Sequence, residues 1–388
     1  MIIKISNGKI ISNNKVLLGK SLYISDEKIL CITNESLPFD KEIDAHGNYV
    51  SAGFIDMHTH GGGGYDFMDG GVTPVVEGMK LHLSHGTTSI LPTTLTSTIT
   101  TLKACLSDIK QTMSMKDNIP NIIGVHLEGP YFSLNQCGAQ NPQYIKQPDK
   151  KEYEDIIEFA AGIIKRWSFA PELHGSEEFC KTLVKNNIIP SIAHSDATYQ
   201  DVKNVYELGC KLITHFYSGM SSITRHDGFR RLGVIESAYL FDEMFVEIIA
   251  DGMHLPPELL QMICKLKGFD NICLVTDSMR GAGMGAGTSM LGRKSEGMPC
   301  IIEDGVAKLM DRTAFAGSVA TTDRLVRTMI KSTGISTENA VKMVTQNPAR
   351  ILGLYKKGDI IEGFDADIVI FDTNINIKNV FVMGELIV

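Results

Sequence analysis

The amino-acid sequence predicts an α/β fold, a (β/α)8 TIM barrel that carries a small β-sandwich domain formed from both termini. Residues 51–353 alternate short apolar runs with amphipathic segments, which is the pattern of repeated β/α units. The two ends of the chain show closely spaced apolar runs that are typical of short strands. Polar residues follow the apolar runs of the middle region, as they do where barrel strands end at a catalytic face.

Turn signals at both ends predict the small domain. Near the N-terminus, Asn7-Gly8 separates two apolar runs, and Asn-Gly in that position is a strong hairpin signal. Near the C-terminus, Glu362-Gly363 and Gly384-Glu385 separate apolar runs in the same style. We therefore expect residues 1–50 plus 354–388 to form one small β-sandwich domain, and residues 51–353 to form the barrel.

Eight strands are predicted in the middle region, with helices between them. The strands are Val50–Met57, Thr88–Pro92, Ile122–Glu128, Ile164–Ala170, Ile188–Ala193, Leu212–His215, Phe245–Ala250 and Ile272–Thr276. Helical patterns cover Thr73–His85, Glu152–Ile164, Gln200–Leu208 and a segment capped by Thr322 that ends before Gly334. Eight β/α units in about 300 residues fit a TIM barrel, and a doubly wound sheet is the alternative.

Composition excludes several classes of function. The chain of 388 residues has a net charge of −8 and no Lys/Arg-rich block, so it offers no surface for nucleic acid. It has no apolar run of about 18 residues and no signal-peptide pattern, so we expect no membrane segment. The eight cysteines form no CxxC pair, which predicts reduced thiols in a cytoplasmic protein.

Six polar side chains follow apolar strand runs at equivalent positions. In GVHLEGP, residues 124–130, Glu128 shares a strand face with His126 and is opposed by Val125 and Leu127. An HxH pair at a strand end can direct two imidazoles to one metal. Any one of these residues could be an ordinary buried polar group, but six in phase predict a hydrolytic metal site; they are His58, His60, Glu128, His194, His215 and Asp277.

Other strand ends carry weaker signals. Asp251 and His254 are candidate substrate contacts, and a turn-forming role for Asp251 is equally compatible with its Asp-Gly sequence. Glu172 is expected to be a structural loop carboxylate. The Gly-rich segments 61–64 and 281–287 do not fit a dinucleotide-binding pattern, and mobile loops over the barrel mouth are the expected structure.

Eight segments together resemble the N-acetylglucosamine-6-phosphate deacetylase family of the amidohydrolase superfamily. They are GFIDMHTHGGGGYDFMD, GVHLEGP, AHSDAT, THFYSGM, IADGMH, VTDSM, AGSVAT and NPARILGL. The resemblance covers nearly the whole chain, including the split β domain. It implies a metal-dependent catalytic barrel that removes the acetyl group from N-acetylglucosamine 6-phosphate, giving glucosamine 6-phosphate and acetate.

The resemblance also implies roles for the strand-end residues. Glu128, His194 and His215 would hold the principal divalent metal, Zn²⁺ or Fe²⁺. His58 and His60 match the branch of the family that can hold a second ion, so one or two ions per subunit are expected. Asp277 would be the catalytic acid and base, and His126 or Gln140 would help to stabilise the oxyanion.

Substrate-binding residues follow from the same resemblance. His254, the backbone at Ser218 and Gly219, and Arg225 would bind the sugar phosphate, with Arg225 and His254 reaching in from the neighbouring subunit of a homodimer. Arg230 is an equally suitable phosphate ligand. Gln140 stands where the family commonly has histidine, and it can donate to a substrate oxygen.

Three alternatives remain open at this stage. Departures from the family pattern lie on the substrate side, as at Gln140 and in residues 224–231, and they leave another substrate such as N-acetylgalactosamine 6-phosphate possible. A different amidohydrolase, or a non-catalytic relative that keeps only the fold, is less compatible with the complete set of predicted metal ligands.

Overall fold

The computed structural model describes residues 1–115 and 118–388 and confirms the predicted fold class. Eight parallel strands form a nearly closed barrel with helices around it, and two sheets built from both ends of the chain pack as a β-sandwich. Within the described residues, none of the helices combines the length and apolar character that a membrane span requires.

Strands and helices alternate through most of the barrel region, as the sequence predicts, and strands predominate at both ends of the chain. The strands are β1 Ile2–Ser6, β2 Lys9–Ser12, β3 Lys15–Leu17, β4 Ser21–Ser25, β5 Lys28–Thr33, β6 Lys41–Asp44, β7 Tyr49–Ala52, β8 Phe54–Thr59, β9 Gly61–Gly62, β10 Tyr65–Asp66, β11 Thr87–Thr94, β12 Asn121–Ile122, β13 Val125–Glu128, β14 Ile164–Phe169, β15 Ile189–Ile192, β16 Leu212–Ile213, β17 Thr224–His226, β18 Phe229–Arg231, β19 Phe245–Ile248, β20 Ile272–Leu274, β21 Gly287–Leu291, β22 Met298–Glu303, β23 Val306–Leu309, β24 Ile368–Phe371, β25 Ile377–Val382 and β26 Glu385–Leu386. The α-helices are α1 Val72–Ser84, α2 Ile99–Met113, α3 Lys150–Ala160, α4 Ser176–Lys185, α5 Tyr199–Glu207, α6 Val234–Leu240, α7 Pro257–Lys267, α8 Thr322–Thr333, α9 Thr337–Lys342 and α10 Gln346–Ile351.

The β-sandwich combines strands from the two ends of the chain. One sheet has the order β5-β4-β1-β6, and the other has the order β26-β25-β24-β7-β2-β3. In the second sheet, Ile370 of β24 pairs with Val50 of β7, which ties the C-terminal end to the N-terminal end. Apolar side chains from both sheets, such as Ile5 and Ile368, meet in one buried cluster.

The predicted strand Val50–Met57 is two strands, β7 in the sandwich and β8 in the barrel. Gly53 separates them, and a Cβ there would lie 2.1 Å from Oγ1 of Thr88, so only glycine permits this close approach. The predicted domain boundary after residue 50 falls inside β7. We propose that the small domain extends to Ala52, and the division of the chain into two domains stays a prediction.

The barrel strands are β8, β11, β13, β14, β15, β16, β19 and β20. Each of these strands is parallel to the barrel strands with which it pairs. Backbone hydrogen bonds between the segments after β8 and β20 bring the first and last strands together: Asp277 N donates to His58 O, and His60 N donates to Ser278 O, both over 2.8 Å. The barrel therefore closes at the carboxyl ends of these strands, beside the residues predicted to form the site.

Side chains on the barrel strands divide as the alternation predicts. Leu127 and Trp167 face outward and belong to the buried cluster between strands and helices. His126 and Arg166 lie on the other face and are fully buried in the barrel interior, where both make polar contacts. The apolar cluster holds the helices against the barrel, and the polar interior leads up to the mouth.

A three-stranded antiparallel sheet, β21–β23, follows the Gly-rich segment 281–287 and was not predicted. Of the segment expected to be a mobile loop, only Gly287 lies in a strand, as the first residue of β21, and the mobility of residues 281–286 stays a prediction. The segment 61–64 likewise enters a small hairpin of β9 and β10. Asp304 and Gly305, with φ of 54° and 77°, form a two-residue turn between β22 and β23, which is the conformation that Asp-Gly favours in hairpins.

Candidate functional site

All six predicted metal ligands meet at the mouth of the barrel. Their potential ligand atoms form two groups of three buried residues, within which every pair of ligand atoms lies within 4.8 Å. One group is Glu128, His194 and His215, and the other is His58, His60 and Asp277. The nitrogen and oxygen donors of each group suit a divalent transition metal such as zinc or iron.

The carboxylate of Glu128 lies between the two groups. Its Oε1 is 3.0 Å from Nε2 of His215 and 3.5 Å from Nε2 of His194. The same carboxylate lies within 3.5 Å of His58, through Oε1, and within 3.3 Å of His60, through Oε2. A single side chain therefore joins the two groups, and it could bridge two ions.

Hydrogen bonds orient two of the imidazoles toward these groups. Nδ1 of His194 donates to the carbonyl of Gln136 over 2.7 Å, and Nδ1 of His60 donates to the carbonyl of Thr93 over 3.2 Å. Each of these bonds keeps a proton on Nδ1, so Nε2 is the nitrogen that can offer a lone pair to a metal once it has lost any proton of its own. This arrangement is the usual environment of a metal-binding histidine, so the residues present fit a bound divalent ion.

Three of the six residues follow barrel strands in a left-handed backbone conformation. His194, His215 and Asp277 have φ of 46°, 26° and 46°. Residues other than glycine rarely adopt this conformation, and it is concentrated at functional sites. The regular strands therefore end earlier than predicted, as at β16, which stops at Ile213, two residues before His215.

Close contacts between carboxylates and imidazoles shift the pKa values of the site residues. Burial opposes the charge on Glu128, but the neighbouring histidines outweigh burial and hold its pKa well below the usual range. Burial also opposes protonation of His60, yet Asp277 and Glu128 raise the pKa of its imidazole to about 10. The pKa of Asp277 is lowered, because His58 and His60 outweigh its burial. Both carboxylates are thus ionised at neutral pH, as metal binding and proton acceptance require.

A cavity of about 290 Å³ opens above these residues and is bounded by Gln140 and by every member of the two ligand groups except the fully buried His58. Nε2 of Gln140 donates to Oε2 of Glu128 over 2.8 Å. Its Oε1 accepts from both the backbone N–H and the hydroxyl of Thr96, over 2.9 and 3.0 Å. Thr96 therefore fixes the orientation of the amide. Among the described residues the second N–H of Gln140 has no acceptor, so it is available to a ligand in the cavity.

Ser218, Gly219 and His254 also line this cavity. The expectation that His254 reaches in from a neighbouring subunit is therefore wrong, because His254 lies on the wall of its own chain's cavity. Gly219 has φ of 58°, and a Cβ there would lie 2.9 Å from Nδ1 of His194, so glycine is needed beside this ligand. Nδ1 of His254 donates to Asp251 over 2.9 Å, and Nε2 has no hydrogen-bond partner in the part of the chain that the structure describes. The carboxylate of Asp251 also accepts from the backbone N–H groups of Met253 and His254, so both predicted roles of Asp251 are compatible with its position.

Arg225 and Arg230 are not brought to the cavity of their own chain. Both lie in the exposed hairpin of β17 and β18, and neither is among the described residues that line the cavity. They are cross-strand partners in this hairpin, so their side chains share one face. Two like charges directly opposite one another destabilise a hairpin unless an anion or an acidic group compensates them.

His126 is not placed to stabilise an oxyanion, contrary to one expectation. Its imidazole is fully buried below the cavity, where Nε2 is 2.7 Å from Oγ of Ser168. Burial is the largest cause of a pKa well below the ordinary value, so this histidine is neutral. Alternation along β13 does place His126 on the inward face, but one layer deeper in the barrel than Glu128.

Several residues of the site were missed from the sequence. Leu291 and Phe315 line the cavity, and Leu291 comes from the unpredicted sheet β21–β23. The Asp304-Gly305 turn signal between apolar runs could have revealed that sheet. Arg166 and Glu247 form a buried ion pair below the ligand groups, and no sequence pattern pointed to it. Glu172 accepts from Ser195 and Asp196, as a structural loop carboxylate should.

Comparison with known proteins places the chain in a family. The profile of the amidohydrolase family matches residues 49–387. The N-acetylglucosamine-6-phosphate deacetylase of Lysinibacillus sphaericus is 33% identical over 349 residues, which cover 89% of this chain and 87% of that protein. The N-acetylgalactosamine-6-phosphate deacetylase of Escherichia coli O157:H7 is 29% identical over 335 residues, covering 86% of each chain. The crystal structure of N-acetylglucosamine-6-phosphate deacetylase from Pasteurella multocida matches with a TM-score of 0.92 at 28% identity, covering 100% of this chain and 99% of that one. The chain therefore belongs to the amidohydrolase family and, within it, to the N-acetylglucosamine-6-phosphate deacetylase family.

Proposed function

We propose that this protein hydrolyses the acetamide of N-acetylglucosamine 6-phosphate to give glucosamine 6-phosphate and acetate. The observation that carries the proposal is the pair of buried ligand groups joined by Glu128, one of which contains Asp277, at one cavity. Relatives that carry this activity in their names match nearly the whole chain, which supports the same substrate here.

Glu128, His194 and His215 would hold the principal divalent ion, and His58, His60 and Asp277, with Glu128 shared, would hold a second. Zn²⁺ and Fe²⁺ both suit these nitrogen and oxygen donors. A bound ion supplies a water of lowered pKa and polarises the acetyl carbonyl.

Asp277 moves the proton in this mechanism. Its carboxylate is ionised and lines the cavity, so it can accept a proton from the attacking water. An amine is a poor leaving group, and Asp277 then returns the proton to the departing nitrogen. The free N–H of Gln140 can donate to the acetyl oxygen as negative charge develops there.

The phosphate would be bound at the opposite end of the substrate from the broken bond. Ser218, Gly219 and His254 line the cavity, and the hairpin of Arg225 and Arg230 would reach the cavity of a partner in a homodimer. The energy of phosphate binding would serve to orient the acetamide over Asp277. We further propose a cytoplasmic location, in which the eight cysteines remain free thiols.

Acetate release from a panel of sugars tests the proposed function. The panel contains the 6-phosphates of N-acetylglucosamine and N-acetylgalactosamine, together with both unphosphorylated sugars, assayed with Zn²⁺ or Fe²⁺. We expect the highest kcat/KM with N-acetylglucosamine 6-phosphate. Higher kcat/KM with the galactosamine compound would reassign the sugar, and no acetate from any member would contradict the proposed activity.

A further inference from the structure

A charged pair lies inside the barrel below the ligand groups. Arg166 of β14 and Glu247 of β19 are both fully buried, and the guanidinium contacts both oxygens of the carboxylate. The remaining donors of Arg166 bind Oγ of Ser191 over 3.0 Å, the carbonyl of Met57 over 3.2 Å and Oγ1 of Thr214 over 2.7 Å. All five N–H groups of the guanidinium therefore have acceptors.

The carboxylate of Glu247 faces the imidazole of one histidine of the site, His58, and its Oε2 also accepts from the backbone N–H of His215 over 3.4 Å. Its Oε2 lies 3.6 Å from Nδ1 of His58, and that nitrogen has no hydrogen-bond partner among the described residues. The other ring nitrogen of His58, Nε2, points into the ligand groups, 3.3 Å from Nε2 of His60. A hydrogen bond between His58 and Glu247 would require a shift of only about 0.5 Å.

A histidine that binds a metal through Nε2 must carry its proton on Nδ1, and that proton needs an acceptor. Backbone carbonyls serve His60 and His194 in this way, but Nδ1 of His58 has no such carbonyl among its contacts. Glu247 is the acceptor that faces it, and the two contacts with Arg166 fix where its oxygens lie.

We propose that Glu247, held by Arg166, is a positioning residue that sets the tautomer and orientation of His58. The proposal rests on the metal assignment of the proposed function. A purely structural contact between the two strands would not need charged side chains. A buried ion pair can often be replaced by apolar side chains of similar volume without loss of stability. An acceptor directed at His58 is what an apolar pair could not supply.

Two double variants distinguish a role of Glu247 in orienting His58 from a purely structural role of the Arg166–Glu247 pair in linking two strands. Arg166→Met/Glu247→Leu removes the charges and the acceptor together, and therefore leaves no unpaired buried charge. Arg166→Met/Glu247→Gln is equally neutral, but it keeps an amide oxygen that can accept from Nδ1 of His58. Both are compared with the unmodified protein by Zn²⁺ titration calorimetry, by zinc content after dialysis, and by thermal unfolding of the metal-free forms.

We expect the unmodified protein to bind two ions. The Leu variant should bind the second ion about 10- to 100-fold more weakly and keep the first, and the Gln variant should recover most of that loss. Equal affinity for both ions in all three proteins would overturn the proposal, even if both variants unfold at lower temperature. Equal weakening in the Leu and Gln variants would also overturn it.

A measurement on the unmodified protein remains decisive if neither double variant folds. In the zinc-loaded protein labelled with ¹⁵N-histidine, the Nδ1 proton of His58 should be protected from exchange with water, as a proton bonded to Glu247 would be. Rapid exchange of that proton would overturn the proposal. Binding of fewer than two zinc ions to the unmodified protein would overturn both this proposal and the two-ion assignment, whereas zinc binding without acetate release would contradict only the proposed activity.

Discussion

Gln140 donates a hydrogen bond of 2.8 Å from its side-chain amide to Oε2 of Glu128, the carboxylate that joins the two groups of predicted metal ligands. Gln140→Leu removes this donor from a buried carboxylate. Because residues that orient a metal ligand typically contribute 10- to 100-fold to metal affinity or activity, we expect a loss of about that size in kcat/KM. Thr96→Val is the matched control, since the backbone N–H of Thr96 still holds the amide in place. A loss as large in the control as in Gln140→Leu would contradict a direct role for the amide.

Asp277→Asn should keep the fold and the bound metal but nearly abolish turnover. Asparagine has nearly the same shape, but it cannot accept a proton from water and return it to the amine. We expect a fall in kcat of about 10²- to 10⁴-fold, as is usual for a general acid and base. Metal content is measured on the same sample, so that a lost ion is not mistaken for a lost proton shuttle. More than roughly a tenth of the original kcat at full metal occupancy would mean that Asp277 does not move the proton.

Glu128→Ala should lose the tightly held ion, whereas His58→Ala should lose at most a second, weaker one. Glu128 is a member of the group with His194 and His215 and also contacts His58 and His60, so its removal affects both groups. His58 belongs to only one group. Elemental analysis of the two variants after dialysis measures the difference. Equal loss of metal in both would indicate an obligate two-ion site.

Metal binding should release protons. In the metal-free protein, burial opposes protonation of His58 and His60, but Glu128 and Asp277 outweigh it and raise their pKa values to about 9 and about 10. Both rings therefore carry an extra proton at pH 7.5, and each must lose it before Nε2 can bind a metal. We expect release of about two protons per chain when both groups fill, and metal affinity that weakens as pH falls.

Calorimetric titrations in two buffers of different ionisation enthalpy count the released protons. The variant His58→Ala/His60→Ala is the control, because it lacks the two rings with raised pKa values and should release few protons or none. Metal binding without proton release in the unmodified protein would show that His58 and His60 are neutral before the ion arrives.

The fold was largely predictable because each barrel strand appears in the sequence as a short apolar run, and several of these runs are followed by polar residues. Strands with apolar residues on one face, as at Val125 and Leu127, can be recognised from the alternation of apolar and polar residues. A polar residue at the end of such a strand indicates the catalytic face of the barrel. All six predicted ligands consequently lie together in the structure. The match to the amidohydrolase family and the surrounding helices confirm the barrel.

Features that depend on contacts between distant segments were not predictable. The split of Val50–Met57 at Gly53 depends on the close approach of Thr88, and the depth of His126 in the barrel depends on strand register. The Arg166–Glu247 pair joins strands 81 residues apart, and neither residue stands in a recognisable pattern. The left-handed backbone at His194, His215 and Asp277 is imposed by the surrounding structure, since the residue types alone do not favour it strongly.

The last prediction concerns the phosphate. Arg225 and Arg230 are opposite one another across the hairpin of β17 and β18, so their two positive charges share one exposed face. A phosphate between them would relieve this repulsion, and a charge-assisted hydrogen bond from an arginine contributes roughly 1.5–3 kcal/mol. Arg225→Ala and Arg230→Ala should therefore each lower kcat/KM by about 10- to 100-fold for the 6-phosphate, with little change for the unphosphorylated sugar. Arg231, the neighbour in the same strand that does not pair with Arg225, provides the matched control as Arg231→Ala.

Mixed dimers test which subunit supplies the arginine. A chain carrying Arg225→Ala keeps intact ligand groups, and a chain carrying Glu128→Ala keeps the hairpin but loses the metal. If the hairpin serves the partner's cavity, combining the two chains should restore activity, because one of the two sites then has both a complete ligand set and both arginines. Loss of activity that is equal on the phosphorylated and unphosphorylated sugars, or absent in both arginine variants, would contradict phosphate binding by this hairpin. Loss confined to the phosphorylated sugar without recovery in mixed dimers would place the arginines in the cavity of their own chain, after a movement of the hairpin.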